Sequence, residues 1–143
     1  MKLLYPATIT FATEDNGYLV EFIDLPGCIT EGESLEDALG NAREALTGFL
    51  ASLFERNLPI PEPSQVRKKN IHLIEPDAEV EIPIMLRKLR ENSKLTQGDV
   101  AKVLGITYQA YQRLEKPGKS NPTVKTLERL ARVFHKSLHL ELA

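Results

Sequence analysis

The chain has 143 residues, 42% hydrophobic and 27% charged, which excludes a wholly disordered polymer and bounds it to one domain or two small ones. Cys28 is the single cysteine, so a disulfide framework and a thiolate metal cluster are excluded and a reducing cytoplasm fits; with no apolar run of about eighteen residues and no cleavable leader in "MKLLYPATITF", neither a membrane span nor a signal peptide is expected. The net charge of −2 conceals a split, since residues 1–66 sum to −8 (3 Lys/Arg, 11 Asp/Glu), 67–81 to −1 and 82–143 to +7, and ends of opposite sign point to two different partners.

Alternating apolar residues place two strands early. Ala7, Ile9 and Phe11 share one face, and Tyr18, Val20 and Phe22 another. Asn16-Gly17 between them is a hairpin signal, because both residues tolerate positive φ. "LPGC" then turns the chain into a third strand around Ile29–Thr30. Ser34, with Asp37 three residues on, resembles a capping box. It opens a helix on which Leu35, Ala38, Leu39, Ala42, Ala45, Leu46, Phe49, Leu50 and Leu53 recur at three and four. Residues 58–70 form a stiff extended connector, because Pro59, Pro61 and Pro63 forbid regular helix. Beyond it, Ile71–Ile74 and Ala78–Glu81 alternate as short strands. Pro83 suits the first turn of a new helix, where its missing N–H is not needed. The pattern predicts an α+β first domain of order β-β-β-α-β over residues 1–81.

From residue 82 the period changes, and the pattern predicts an all-α domain over 82–143. Ile84, Leu86 and Leu89 anchor one helix. Thr96 with Asp99 is a second capping box, opening a helix through Val100, Ala101, Val103 and Leu104. Gly105 ends that helix as a residue free to go left-handed. Thr107 caps the next, which runs to about Glu115, with Tyr111 and Leu114 assigned to the core. After the loop "KPGKSNP", Thr123 starts a fourth helix carrying Val124, Leu127, Leu130, Ala131, Val133 and Phe134. "SLHLELA" alternates Leu138, Leu140 and Leu142, a terminal strand with no intrachain partner that invites pairing across a two-fold axis.

Two helices of about eight residues on either side of a Gly-led three-residue turn are the layout of a helix-turn-helix. Tyr108, Gln109, Gln112 and Arg113 fall together at helical spacing, and all four hydrogen-bond to base edges or phosphates. The helix end capped by Thr107 aims N–H groups and partial positive charge at phosphate, and Gln97 at the start of the preceding helix can clamp the backbone likewise. Lys116, Lys119 and Asn121 would hold phosphates nearby. A polar face on a surface helix is ordinarily only solvated; the whole layout, rather than the polar residues alone, favours DNA. Through "LTQGDVAKVLGIT", "RLEKPGKSNPT" and "TLERLARVF", the segment from Ile84 to Phe134 resembles the Xre/Cro-like helix-turn-helix family. The resemblance implies that Tyr108, Gln109, Gln112 and Arg113 enter the major groove of double-stranded operator DNA. Gly98 departs from the Glu or Ser common at its position in that family.

"GYLVEFIDLPGCITEGESLEDALGNAREAL", followed after the helix by "PEPS", resembles the N-terminal domain of HicB antitoxins over Tyr5–Ser64. The resemblance implies a reduced RNase H-like fold that binds and silences a HicA-like mRNA-cleaving toxin, in the subset of the family with a helix-turn-helix second domain. An acidic surface suits that role, because a protein that grips RNA presents positive charge. Glu31, Glu33, Glu36 and Asp37 cluster near the third strand and helix start, although carboxylates favour any helix N-terminus. Net charge singles out no toxin-binding residues.

Catalysis is not expected. RNase H chemistry needs several carboxylates converging on paired Mg²⁺, and only Asp24 and Glu21 lie near a suitable strand and turn, on alternate sides. Cys28 has no neighbouring base and reads as a buried filler. His72, His135 and His139 are scattered, so neither a metal nor another cofactor is expected. The expected function is that of a cytoplasmic type II antitoxin and autorepressor, a homodimer or higher even oligomer. Its expected partners are a HicA-like toxin and a palindromic operator, with no membrane. The competing readings are a stand-alone helix-turn-helix regulator whose first domain senses a ligand or oligomerises, and a residual RNA-cleaving enzyme.

Overall fold

A computed structural model describes residues 2–143, and it divides into two compact units, one ending at Glu81 and the other running from Ile82 to Ala143. No helix among the described residues is long and apolar enough to cross a membrane.

The first unit is built from β1 (Tyr5–Ala12), β2 (Gly17–Phe22), β3 (Ile29–Gly32), α1 (Leu35–Glu55) and β4 (Ile71–Ile74). The strands form one antiparallel sheet in the order β3-β2-β1-β4. Period-two side-chain alternation puts Tyr5, Ala7, Ile9, Val20 and Phe22 on one face, all buried. Ala38, Ala42, Leu46 and Leu50 of α1 are fully buried in turn, and α1 lies against β2, β3 and β4. The mixed α+β architecture and the β-β-β-α-β order follow the sequence pattern.

The β1–β2 connection is longer than the Asn-Gly pair suggested. Ala12 pairs with Gly17, so Thr13–Asn16 form a four-residue loop in which Asn16 alone takes positive φ (51°) and Gly17 joins the strand. At the start of α1 the Ser34 hydroxyl accepts from the Asp37 N–H at 3.0 Å, and the Asp37 carboxylate accepts from the Glu33 N–H at 3.0 Å.

The connector contains no helix or strand, yet it is tied to the sheet. The buried Tyr5 hydroxyl donates to the Pro61 carbonyl at 2.6 Å. Asp24 accepts from the Ser64 N–H at 2.8 Å with one carboxylate oxygen and from the Ser64 hydroxyl with the other. Burial, reinforced by Glu62 and Asp24, pushes the Tyr5 hydroxyl far above its ordinary pKa, so it remains a donor.

Two expectations are corrected beyond β4. Ala78–Glu81 is helical: α2 runs Ala78–Asn92, and Pro83 lies inside it rather than at its first position. The Asp77 carbonyl accepts from the N–H groups of Val80 and Glu81, both at 3.0 Å, and starts the helix. Glu79 and Glu81 in its first turn favour the positive end of the helix dipole. Val80 and Ile84, both buried, are spaced by four, a helical interval that short alternation had obscured.

The second unit comprises the rest of α2 with α3 (Gln97–Leu104), α4 (Tyr108–Leu114) and α5 (Val124–Val133). Leu86, Val100, Ala101, Leu104, Tyr111, Leu130 and Phe134 form its core, with Ile82, Leu89, Leu95, Ile106, Leu114 and Val133 packed against it. The terminal strand expected around Leu138–Leu142 is not formed. A strand exists only where its backbone is paired, and among the described residues nothing pairs with this segment.

Candidate nucleic-acid interface

The candidate interface is assembled by three local devices. Thr96 and Asp99 form a reciprocal capping box, the hydroxyl accepting from the Asp99 N–H at 3.0 Å and the carboxylate from the Thr96 N–H at 2.9 Å. Those hydrogen bonds hold the Asp99 carboxyl below its ordinary pKa. Gly105 closes α3 in the left-handed region (φ 70°), where it meets no Cβ penalty. The Thr107 hydroxyl then accepts from the Ala110 N–H at 3.1 Å and starts α4. Arg129 of α5 donates to the Leu104 carbonyl at 2.5 Å, tying the end of α3 to the scaffold.

On α4, Tyr111 is fully buried while Tyr108, Gln109 and Arg113 are exposed and Gln112 is half-buried, so these four share the face turned from the core. Tyr108 leaves 48% of its surface exposed, which sets it apart from the core tyrosine three residues on. Its hydroxyl donates to Gln97 Oε1 at 3.2 Å, and Gln97 Nε2 donates to Glu115 Oε1 at 3.2 Å. Gln97 and Tyr108, assigned separately from the sequence, therefore act as one hydrogen-bonded pair bridging the starts of α3 and α4. Thr107, Lys116, Lys119 and Asn121 lie exposed around the same two helices, and no direct hydrogen bond joins Lys116, Lys119 or Asn121 to this chain of contacts among the described residues.

Sequence reasoning missed the group at the root of that network. Glu115 is 1% exposed. It accepts from Arg90 Nε at 2.7 Å and Nη2 at 3.0 Å, a bidentate pair, while Arg90 Nη1 donates to the Leu95 carbonyl at 3.0 Å. The hydrogen bonds that Arg90 donates to Glu115 raise the pKa of its guanidinium further. The Tyr111 hydroxyl, buried without a hydrogen-bond partner, is pushed far up by burial first and by the neighbouring carboxylate second. A signal was present. Arg90 follows Leu86 by four and Glu115 follows Tyr111 by four, so each sits on the buried stripe of its own helix, where an unpaired charge is not tolerated.

In the first unit, Asp15, Glu31, Glu33, Asp37 and Asn41 line an open acidic cleft between the β1–β2 loop, β3 and the start of α1. Asp37 is also engaged as a cap, and Asn41 donates to the Glu31 carbonyl at 2.8 Å. The sheet face away from α1 carries exposed Ile29 and Leu73 beside Glu21 and Glu31. Asp24 is committed to Ser64 through both oxygens. Cys28 is buried, which raises its thiol to about 11.

Residues 4–86 match the model of a family described as HicB-like antitoxins of bacterial toxin–antitoxin systems, and residues 86–140 match a helix-turn-helix model. The chain is 36% identical over 110 residues to the antitoxin HicB of Escherichia coli (strain K12), covering 77% of this chain and 78% of that protein. It is 32% identical over 113 residues to antitoxin HicB 1 of Photorhabdus laumondii subsp. laumondii, covering 79% and 70% respectively. The crystal structure of the N-terminal domain of Burkholderia pseudomallei antitoxin HicB aligns with a TM-score of 0.45 at 26% identity, over 52% of this chain and 98% of that one.

Proposed function

Because the chain belongs to the HicB-like antitoxin family and carries a helix-turn-helix domain, we propose that it both neutralises a toxin and represses its own operon. In this reading the acidic unit binds a HicA-like mRNA-cleaving toxin by direct contact. The basic unit, brought together as a dimer or higher even oligomer, reads a palindromic operator in the cytoplasm. Helix-turn-helix dimers place their recognition helices about 34 Å apart along one face of the duplex, so the operator is an inverted repeat with half-sites one turn apart.

The observation that carries the DNA half is the Tyr108–Gln97–Glu115 chain of hydrogen bonds. It holds two polar side chains at the edge of α4 within a segment of net charge +7. Gln is suited to bidentate pairing with adenine, and Arg113 on the same helix face to guanine. Arg113→Ala is expected to lose roughly 1–3 kcal/mol on the preferred operator and to discriminate less at one base pair. A fluorescence-anisotropy series over operator variants measures both, and unaltered discrimination removes Arg113 from the reading set.

The toxin half rests on charge and on open surface. Residues 1–66 carry −8, and the acidic cleft together with the exposed Ile29 and Leu73 offers a partner both steering charge and apolar contact. In this reading the unit acts by binding rather than by turnover; the engagement of both Asp24 carboxylate oxygens with Ser64 supports it. Expression of the full chain is expected to restore growth to cells producing a cognate HicA-like toxin, and the two are expected to co-purify. Failure of both assays ends the antitoxin assignment for this chain.

A further inference from the structure

Glu115 does more than neutralise Arg90. Its carboxylate, held ionised by the bidentate guanidinium, has no proton to give and can only accept. That sets the direction of each hydrogen bond leading outward from it. Gln97 comes next, and its amide carries an acceptor oxygen on one side and two N–H donors on the other. Turning Oε1 toward Glu115 would oppose two acceptors, so Nε2 faces the carboxylate, 3.2 Å from Glu115 Oε1. Oε1 is thereby turned to Tyr108. An amide oxygen accepts and never donates, so the Tyr108 hydroxyl directs its one proton to it across 3.2 Å.

A free phenol offers a base edge both a proton and lone pairs, and so meets donors and acceptors alike. Here the proton is already engaged, and only the accepting side of the oxygen is left. Tyr108 is exposed on the face of α4 turned from the core, and its bond to Gln97 lies in solvent. The four bases differ in how they meet such an oxygen in the major groove. Adenine and cytosine present amino groups, N6 and N4, where guanine and thymine present the carbonyl oxygens O6 and O4. An oxygen limited to accepting pairs with the first two and sets lone pair against lone pair with the others.

We infer that Tyr108 is a base-specificity residue that selects an amino-bearing base, adenine or cytosine, on the strand it contacts, because the buried Glu115, acting through Gln97, leaves its hydroxyl oxygen able only to accept. The inference rests on the DNA half of the proposed function and adds a chemical rule for one position of each half-site. Glu115 and Gln97 serve this choice as positioning residues, since they act on it by fixing where the Tyr108 proton points. Apolar contact between the tyrosine ring and a thymine methyl is the competing use of the same side chain, and it does not depend on the hydroxyl.

The test lets the full chain select sites from a random duplex library, as wild type, Tyr108→Phe and Gln97→Met. Tyr108→Phe keeps the ring and removes only the oxygen, whereas Gln97→Met keeps the hydroxyl and releases its proton. In the wild type, one position of each half-site is expected to hold adenine or cytosine and to bind guanine or thymine about fivefold more weakly, the scale of one hydrogen bond. Both variants are expected to take all four bases there within about twofold, since each loses the acceptor-only oxygen. The amine is then replaced by hydrogen at that position, with purine standing for adenine or pyrimidin-2-one for cytosine according to the base selected. Wild-type binding is expected to fall about fivefold and Tyr108→Phe binding not to change. Three results overturn the inference and leave the DNA reading standing: the same preference in wild type and Tyr108→Phe, a Tyr108-dependent preference for guanine or thymine, or an equal loss in both proteins when the amine is removed. A preference that survives in Gln97→Met also overturns it, because the proton of Tyr108 is then not what decides. No selected site with any of the three proteins ends the DNA reading and this inference with it.

Discussion

Arg90→Met is expected to cost the basic unit about 3–5 kcal/mol, the scale on which breaking one partner of a buried ion pair destabilises a fold. Glu115 is almost wholly enclosed and accepts three hydrogen bonds, two from Arg90 and one from Gln97. Taking away the guanidinium leaves a carboxylate where water does not reach, and one amide does not neutralise it. Domains of this size have only about 5–15 kcal/mol in total, so a chemical-denaturation curve should show the loss as a large shift of midpoint or as outright unfolding. Arg90→Met combined with Glu115→Leu removes both charges and is expected to regain most of that stability, because well-packed apolar replacements of buried pairs are often neutral or stabilising. Operator affinity should not return with it. In the double variant Gln97 has lost its acceptor, Tyr108 has lost an anchored partner, and binding should stay about tenfold weak, the scale of one charge-assisted hydrogen bond. A double variant that recovers both stability and affinity would show that the pair serves the core alone.

The same pair shows where sequence reading reaches its limit. The Ser34, Thr96, Thr107 and Thr123 caps were legible because a cap is a local contract between residues three apart, and each hydroxyl accepts from the backbone N–H three residues on. The strands were legible because apolar residues alternate wherever one face is covered. Arg90 and Glu115 are 25 residues apart in sequence, and only folding brings them together; their places on two buried stripes do not say that the one charge meets the other. The start of α2 was misplaced for a related reason. Val80 and Ile82 alternate as in a strand, while the burial of Val80 and Ile84 four apart, set by tertiary packing, decides for helix. The leucines of residues 138–142 do alternate, but a single chain supplies no partner strand, so the pattern yields an unpaired segment.

Gly32→Ala is expected to be the most damaging single methyl in the acidic unit, and the reason lies in where β3 meets α1. A Cβ on Gly32 would stand 2.3 Å from the Ala38 N, 2.6 Å from its Cα and 2.9 Å from the Asp37 carbonyl carbon. All three are backbone atoms in the first turns of α1, so no rotamer change relieves the overlap. Overpacking a core typically costs about 1–3 kcal/mol, and a clash with fixed backbone belongs at or above the top of that range. The helix is pinned by its cap and by the burial of Ala38 and Ala42. The four-residue edge strand β3 is therefore the element that must move, carrying Glu31 and Glu33 of the acidic cleft with it. Gly40→Ala and Gly48→Ala are the matched controls. Both glycines lie within α1, and neither Cβ would meet an atom within 4 Å. Alanine there should stabilise by about 0.4–1 kcal/mol, through a less flexible unfolded chain and a better helix former. One substitution type on one strand–helix pair is thus expected to change sign with position. Thermal melts of the three variants, with toxin binding on each, read it directly. A Gly32→Ala protein that melts with the wild type would mean that the close approach of β3 to α1 is not what holds the acidic cleft in shape.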